Sequence, residues 1–204
     1  MSRILKMNID RNKFPEDPVV EYEKMRSRIK TGDVVLFSGT GKFSRAIQKI
    51  TKSVWSHVGV VLVAKELGRV FILESLEPHG VRAVRLSKVL EYRGGVIVAR
   101  HINFPTDFQH QARAFAQYAT DLLGAEYDAS EIARHLRNSV RDKIGLPKVS
   151  YRVNSNYICS EYVADCFLSV GVQIDPDKMP DASVTPADYA NKYIHLVGVL
   201  KRPG

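Results

Sequence analysis

Three side chains of this sequence have the types and settings that covalent chemistry needs. Cys159 lies in Tyr157-Ile158-Cys159-Ser160-Glu161-Tyr162-Val163, where the polar loop Asn154-Ser155-Asn156 runs into a helical pattern. A thiol in the first turn of a helix sits in the positive field of the helix start, which favours thiolate over thiol. His57 lies in Trp55-Ser56-His57-Val58-Gly59-Val60-Val61, an imidazole in an otherwise apolar strand pattern. Gly59, inside the same strand, marks a place where another group approaches closely. Glu74 ends the apolar run Phe71-Ile72-Leu73-Glu74-Ser75. If that strand pairs antiparallel with the His57 strand, the two side chains are cross-strand neighbours, and the carboxylate can fix one imidazole nitrogen while the other faces a thiol. Together these are a nucleophile, a base and an orienting acid. Each has a plain alternative: a structural buried cysteine, a core histidine satisfied by backbone, and an acid exposed at a strand edge.

Other candidates fail on spacing. Ser38-Gly39-Thr40-Gly41-Lys42 suggests a phosphate loop, but that motif needs Gly where Leu36 stands and Ser or Thr where Phe43 stands. The two cysteines, Cys159 and Cys166, lie seven positions apart on one predicted helix. Their Cα atoms would be about 10 Å apart at ~1.5 Å rise per residue, too far for a disulfide. Both are expected to be free thiols in a reducing compartment. Cys166 sits in mid-helix and is given no chemical role. No Cys-x-x-Cys occurs, so neither a structural zinc nor any other metal or cofactor is expected.

These residues need elements to carry them. Residues 1–30 read as an N-terminal arm with a short lead-in helix from Val19 to Ile29, and residues 31–204 as the main domain. Within it the pattern predicts a strand at Val34–Phe37 and an amphipathic helix from Phe43 to Ile50. Strands follow at Val54–Val63, Val70–Ser75, Val81–Leu86 and Val96–Arg100, with a turn at Glu77-Pro78-His79-Gly80. Ser87 is expected to cap a short helix to Glu91. Asp107 is expected to cap a helix from Phe108 to Leu123, which Gly124 stops. Further helices are expected at Ser130–Lys143, Ile158–Val170 and from Pro186 to Lys192, before a last strand, His195–Lys201. Strands first and helices later argue an α+β fold, helices packed on an antiparallel sheet.

The 204 residues are 45% hydrophobic, which suits one domain with a sizeable core. Lys and Arg number 30 against 22 Asp and Glu, a net charge of +8. Part of the excess is the stretch Arg134, Arg137, Arg141, Lys143, Lys148 and Arg152, read as a helical basic insertion at about 129–153. The charge points either to a solvated basic face or to an anionic surface as partner. No nucleic-acid motif accompanies it, so no nucleic-acid partner is expected. Met1 to Asp10 lacks the apolar core of a secretory signal, and no apolar run reaches membrane-span length, so the expectation is a cytoplasmic protein.

The order Gly32-Asp33-Val34-Val35-Leu36, then Ser56-His57-Val58-Gly59-Val60-Val61, then Glu74, then Tyr157-Ile158-Cys159-Ser160-Glu161-Tyr162-Val163 resembles the circularly permuted papain-like cysteine hydrolases of the NlpC superfamily, nearest to the YiiX/YebB-like branch. The resemblance spans roughly Thr31 to Lys201. It implies a permuted papain-like fold, an antiparallel sheet or partial barrel against helices, with Cys159 as nucleophile, His57 as base and Glu74 as third member. The related lecithin:retinol acyltransferase-like enzymes often carry a second His at the third position and an Asn-Cys-Glu-His stretch at the nucleophile. Glu74 and Ile158-Cys159-Ser160-Glu161 both depart from them. Gly124-Ala125-Glu126-Tyr127-Asp128 resembles the Gly-x-x-Tyr-Asp that many members carry beside the active site; a helix stop with a packed tyrosine explains it equally well. Tyr157, Ser56, Ser160 and Tyr127 are the candidates for contacting substrate or oxyanion, with the backbone N–H of Cys159. Three readings follow. The first is an amidase or peptidase acting on a small peptide, such as a cell-wall fragment. The second is an acyl hydrolase or acyltransferase acting on a lipid or thioester. The third is a binding module that keeps the fold without the chemistry.

Overall fold

The computed structural model describes residues 8–104, 109–128, 158–177 and 184–204. The expected helix at Ser130–Lys143, the basic insertion, the cap at Asp107 and Tyr157 lie outside these residues. The described elements are α1 (Tyr22–Arg26), β1 (Val34–Gly39), α2 (Lys42–Thr51), β2 (His57–Ala64), β3 (Arg69–Leu76), β4 (Gly80–Arg85), β5 (Gly94–His101), α3 (Gln109–Asp121), α4 (Cys159–Leu168) and β6 (Ile194–Lys201), with 3-10 turns at Leu86–Glu91 and Pro186–Tyr189. The strands form a six-stranded sheet in the order β4-β3-β2-β1-β5-β6, every neighbouring pair antiparallel. The fold is α+β, as expected.

The pleat sends alternate residues to two cores. Val34 and Leu36 of β1, Val58 and Val60 of β2 and Leu73 of β3 join Phe115 of α3 and Tyr162, Val163 and Phe167 of α4 on one face. Val35, Phe37, Val61 and Ile72 meet Met25, Ile29, Leu86 and Val89 on the other. Phe104, Phe115 and Phe167 pack edge to face, with centroids 5.0 to 5.4 Å apart, and tie α3 and α4 to the end of β5. Such pairs add about 0.5–1.5 kcal/mol beyond the area they bury.

Three expectations differ in detail. The second strand begins at His57, not Val54, because the lead-in segment takes the residues before it. Val54 N–H donates to the Arg11 carbonyl, and the Trp55 indole donates to the Asp10 carbonyl at 2.9 Å. The turn at Leu86–Glu91 is 3-10, and no side chain caps it. The lead-in helix covers only Tyr22–Arg26. Two residues ahead of that helix bridge the edge strand β6, Asn8 to His195 and Val19 to Val199.

Gly59 is required by close packing. A Cβ there would lie 2.8 Å from two Ile72 side-chain carbons and 2.9 Å from the Leu73 carbonyl oxygen. Gly59→Ala must therefore push β3 away from β2, and overpacking of this kind costs about 1–3 kcal/mol. Urea unfolding of the variant should show a loss of that size.

Candidate active site

The site forms where the start of β2, the end of β3 and the start of α4 meet. His57 is the first residue of β2, and its ring lies against Phe37, its partner across β1, with centroids 5.1 Å apart. Glu74 lies on β3, directly opposite Arg82 on β4. Its carboxylate is shared between two cationic groups. Oε2 is 2.8 Å from His57 Nε2. Oε1 accepts from Arg82 Nε at 3.1 Å and Nη2 at 2.8 Å. The His57 ring and Cys159 line one hollow, close enough for Cys159 to act electrostatically on the imidazole. The structure thus brings His57, Glu74 and Cys159 to one hollow, with the imidazole bonded to the acid. Arg82, the second partner of Glu74, was not singled out from the sequence.

Charge and burial compete here. Burial alone would lower the His57 imidazole, but its interactions with Cys159 and the Glu74 carboxylate outweigh it and raise it to about 10. Burial would raise Glu74, yet its bonds to His57 and Arg82 bring it down to about 2. At neutral pH the site therefore holds an imidazolium against an ionised carboxylate, backed by a guanidinium.

Cys159 opens α4, with Ile158 in extended conformation before it and no side-chain cap. The first intrahelical bond runs from Tyr162 N–H to the Ile158 carbonyl. The backbone N–H groups of the first turn point out of the helix start beside the sulfur, where they can stabilise negative charge. The helix start is anchored on three sides. Ser160 Oγ donates to the Val184 carbonyl at 2.6 Å, Tyr189 OH donates to the Ser160 carbonyl at 2.7 Å, and Tyr162 OH donates to the Ala119 carbonyl at 2.8 Å. The Ser160 hydroxyl is thus engaged in holding the helix. The Ser56 hydroxyl is likewise engaged, accepting from Gly39 N–H at 3.0 Å and donating to the Phe37 carbonyl at 3.3 Å. Cys166 is buried away from the site, and burial pushes its thiol up to about 12.

Tyr127 reaches the site by a turn. Gly124 ends the α3 region with φ +89°, and its N–H donates to the Val81 carbonyl, while Val81 N–H donates to the Ala125 carbonyl. Gly80, φ +67°, makes this possible, since a Cβ there would stand 2.1 Å from the Ala125 oxygen. Burial, with nearby Cys159 and acidic side chains, raises the Tyr127 phenol, which stays a neutral donor.

Two hollows meet at the sulfur, and Cys159, Ile47 and Tyr127 line both. The larger, about 330 Å³, holds His57, Glu74 and Arg82 among Phe37, Phe43 and Tyr92. The smaller, about 50 Å³, is walled by Ile47, Ile50, Ile158 and Pro186. Among the described residues no group of three or more His, Cys, Asp or Glu side chains is placed to hold a metal ion. No helix among them is long and apolar enough to cross a membrane.

An antiparallel sheet with a cysteine-bearing helix start facing a strand histidine defines a papain-like thiol hydrolase. The model for "Permuted papain-like amidase enzyme, YaeF/YiiX, C92 family" matches residues 28–195, and the chain belongs to that family. The resemblance seen in the sequence is confirmed. Among solved structures, one described as the metalloprotein yiiX from Escherichia coli O157:H7 is similar at 19% identity and TM-score 0.55, over 86% of this chain and 90% of that one. At that identity the likeness concerns the fold. No curated protein matches the chain.

The shifts carry a sign that can be tested. Glu74, held near 2, stabilises the fold above the ordinary carboxylate value of 4.5, and that contribution is lost as pH falls towards 2. His57, held near 10, stabilises fully below the ordinary 6.5, and its contribution is lost as pH rises towards 10. Urea unfolding across pH should show both limbs. Glu74→Gln should remove about one proton's worth of slope from the acid limb.

Proposed function

We propose that this chain hydrolyses an amide through Cys159, His57 and Glu74. The observation that carries the reading is His57 bonded to the Glu74 carboxylate in the hollow that Cys159 also lines. The Cys159 thiolate attacks the carbonyl carbon, and the carbonyl electron pair moves to oxygen. Backbone N–H at the start of α4 and the Tyr127 hydroxyl donate to that oxyanion; such donors are worth about 3–4 kcal/mol. The His57 imidazolium gives its proton to the departing amine, leaving a thioester. His57, now neutral, takes a proton from water, which attacks the thioester and releases acid and thiolate. Glu74 holds the ring through both halves, and Arg82 holds Glu74.

The larger hollow suits a peptide-like portion of the substrate, since it offers polar groups at its base and aromatic walls. The apolar lining of the smaller one favours a second reading on the same machinery, in which a short acyl chain lies there and the scissile bond is an ester or thioester. An electrophilic peptide and an electrophilic acyl chain, each offered to the protein, would separate the two by which labels Cys159.

Cys159→Ala should abolish turnover with unchanged urea unfolding; retained activity would reject the assignment. His57→Ala should lower kcat by roughly a hundred- to ten-thousand-fold and slow alkylation of Cys159 by iodoacetamide at neutral pH. Arg82→Gln removes a positive charge from Glu74, so the carboxylate protonates more readily. The acid limb of the kcat/KM profile should move to higher pH, and by less in Arg82→Lys.

A further inference from the structure

Helix α2 is attached to the protein by its polar arc. Gln48 Nε2 donates to the carbonyls of Gly39 at 3.1 Å and Val54 at 2.9 Å. Ser44 lies so close to Gly39 that a Cβ there would be 2.2 Å from its hydroxyl. At ~100° per residue, Ser44, Gln48 and Thr51 share this inward arc. The apolar side chains Phe43, Ala46, Ile47 and Ile50 occupy the next arc, and Lys42, Arg45, Lys49 and Lys52 the one beyond. No residue of the helix is buried, and Phe43 is 47% exposed. A ten-residue helix of a globular domain ordinarily turns its apolar arc to the core. Here that arc stands beside the mouth of the active-site hollows, with Phe43 and Ile47 on one and Ile47 and Ile50 on the other.

The charge around the arc points to its occupant. No acidic residue occurs between Asp33 and Glu66, and the helix and its flank carry four basic ones. Arg93 adjoins the same end, where Thr40 Oγ1 donates to its carbonyl. A covering segment from the same chain would need acidic residues. The stretch 129–157 has six Lys and Arg against Glu131 and Asp142. An apolar arc flanked by a basic one matches an interface where acyl chains lie beneath anionic head groups.

We propose that α2 is a docking surface for an anionic phospholipid bilayer, with Phe43, Ala46 and Ile50 entering the acyl boundary and Arg45, Lys49 and Lys52 meeting the head groups. Docking brings the mouth of both hollows to the bilayer surface. The proposal goes beyond the catalytic reading and does not rest on it.

The test uses the full chain carrying Cys159→Ala, so that binding is read without turnover. Sedimentation with vesicles of phosphatidylcholine alone should leave the protein in solution. Vesicles that also contain phosphatidylglycerol should carry it down, and less so as salt is raised. Arg45→Gln with Lys49→Gln should weaken binding about thirtyfold, at the usual worth of two basic residues near an anionic surface. Phe43→Trp should be quenched by brominated acyl chains in these vesicles, whereas the single native tryptophan, Trp55, which is buried, should not. Failure to sediment with phosphatidylglycerol vesicles at low salt overturns the proposal. So does binding that the Arg45 and Lys49 substitutions leave intact, which would move the contact to the basic stretch at 129–157. So does sedimentation without quenching of the new tryptophan, which would mean charge attraction with no insertion.

Discussion

Burying the Glu74 carboxylate is costly unless both its oxygens are satisfied, and the register of three antiparallel strands is what satisfies them. An ionised carboxylate taken out of water loses several kcal/mol of hydration even after the protein relaxes around it. At 6% side-chain exposure Glu74 recovers that from two directions, His57 along one oxygen and Arg82 along the other. The pairing of β3 with β4 puts Arg82 directly opposite. The pairing of β2 with β3 puts His57 on the same face, one diagonal step away. A slip of one residue in either pairing would send the acid to the opposite face from its partners. The Gly59 position, where Ile72 and the Leu73 carbonyl leave no room for a Cβ, keeps the two strands at the spacing this network needs.

Cys159 comes from the opposite side of the sheet. Strand residues Val58, Val60 and Leu73 share a core with α4, whereas His57 and Glu74 project to the other face. Sulfur and ring can meet because His57 is the first residue of its strand, where the sheet ends and the helix start can reach around it. The anchors on Ser160 and Tyr162 hold the helix start at that end. Nothing in this arrangement depends on whether cysteine or histidine comes first in the chain. The permuted order is therefore compatible with the same chemistry, since what matters is the end of the sheet at which the two elements converge.

Much of this was legible in the sequence, for identifiable reasons. Helix starts and apolar strands have local signals, so Cys159 and His57 could be placed on their elements, and the Cys–His–Glu pattern could be matched to a family. Arg82 was within reach and was missed. Counting outward from the turn, Leu76 pairs with Gly80 and therefore Glu74 with Arg82, but the alternation of apolar and basic residues in 81–86 reads as a half-exposed strand in which arginine needs no partner. The late start of β2 had no local signal, because it is set by contacts with Asp10 and Arg11 more than forty residues earlier. The orientation of α2 was hidden for a related reason. Periodicity shows that a helix has an apolar arc, and says nothing about which arc meets the protein.

The walls of the larger hollow decide how strongly its charges act. Phe37, Phe43, Ile47 and Tyr92 stand around a chain of alternating charge from Arg82 through Glu74 to His57, beside Cys159. Apolar walls exclude water, and without water each attraction in the chain is larger than it would be at the surface. The same walls make a lone charge there intolerable, so the members of the chain are stable only together. In the proposed hydrolysis, charge passes from sulfur to a carbonyl oxygen, which needs donors already in place. The start of α4 supplies them at no cost in rearrangement, since its first-turn N–H groups have no carbonyl of their own helix to bond. The feature that makes a helix start an incomplete structure is thus what equips it to receive the charge that Cys159 gives up.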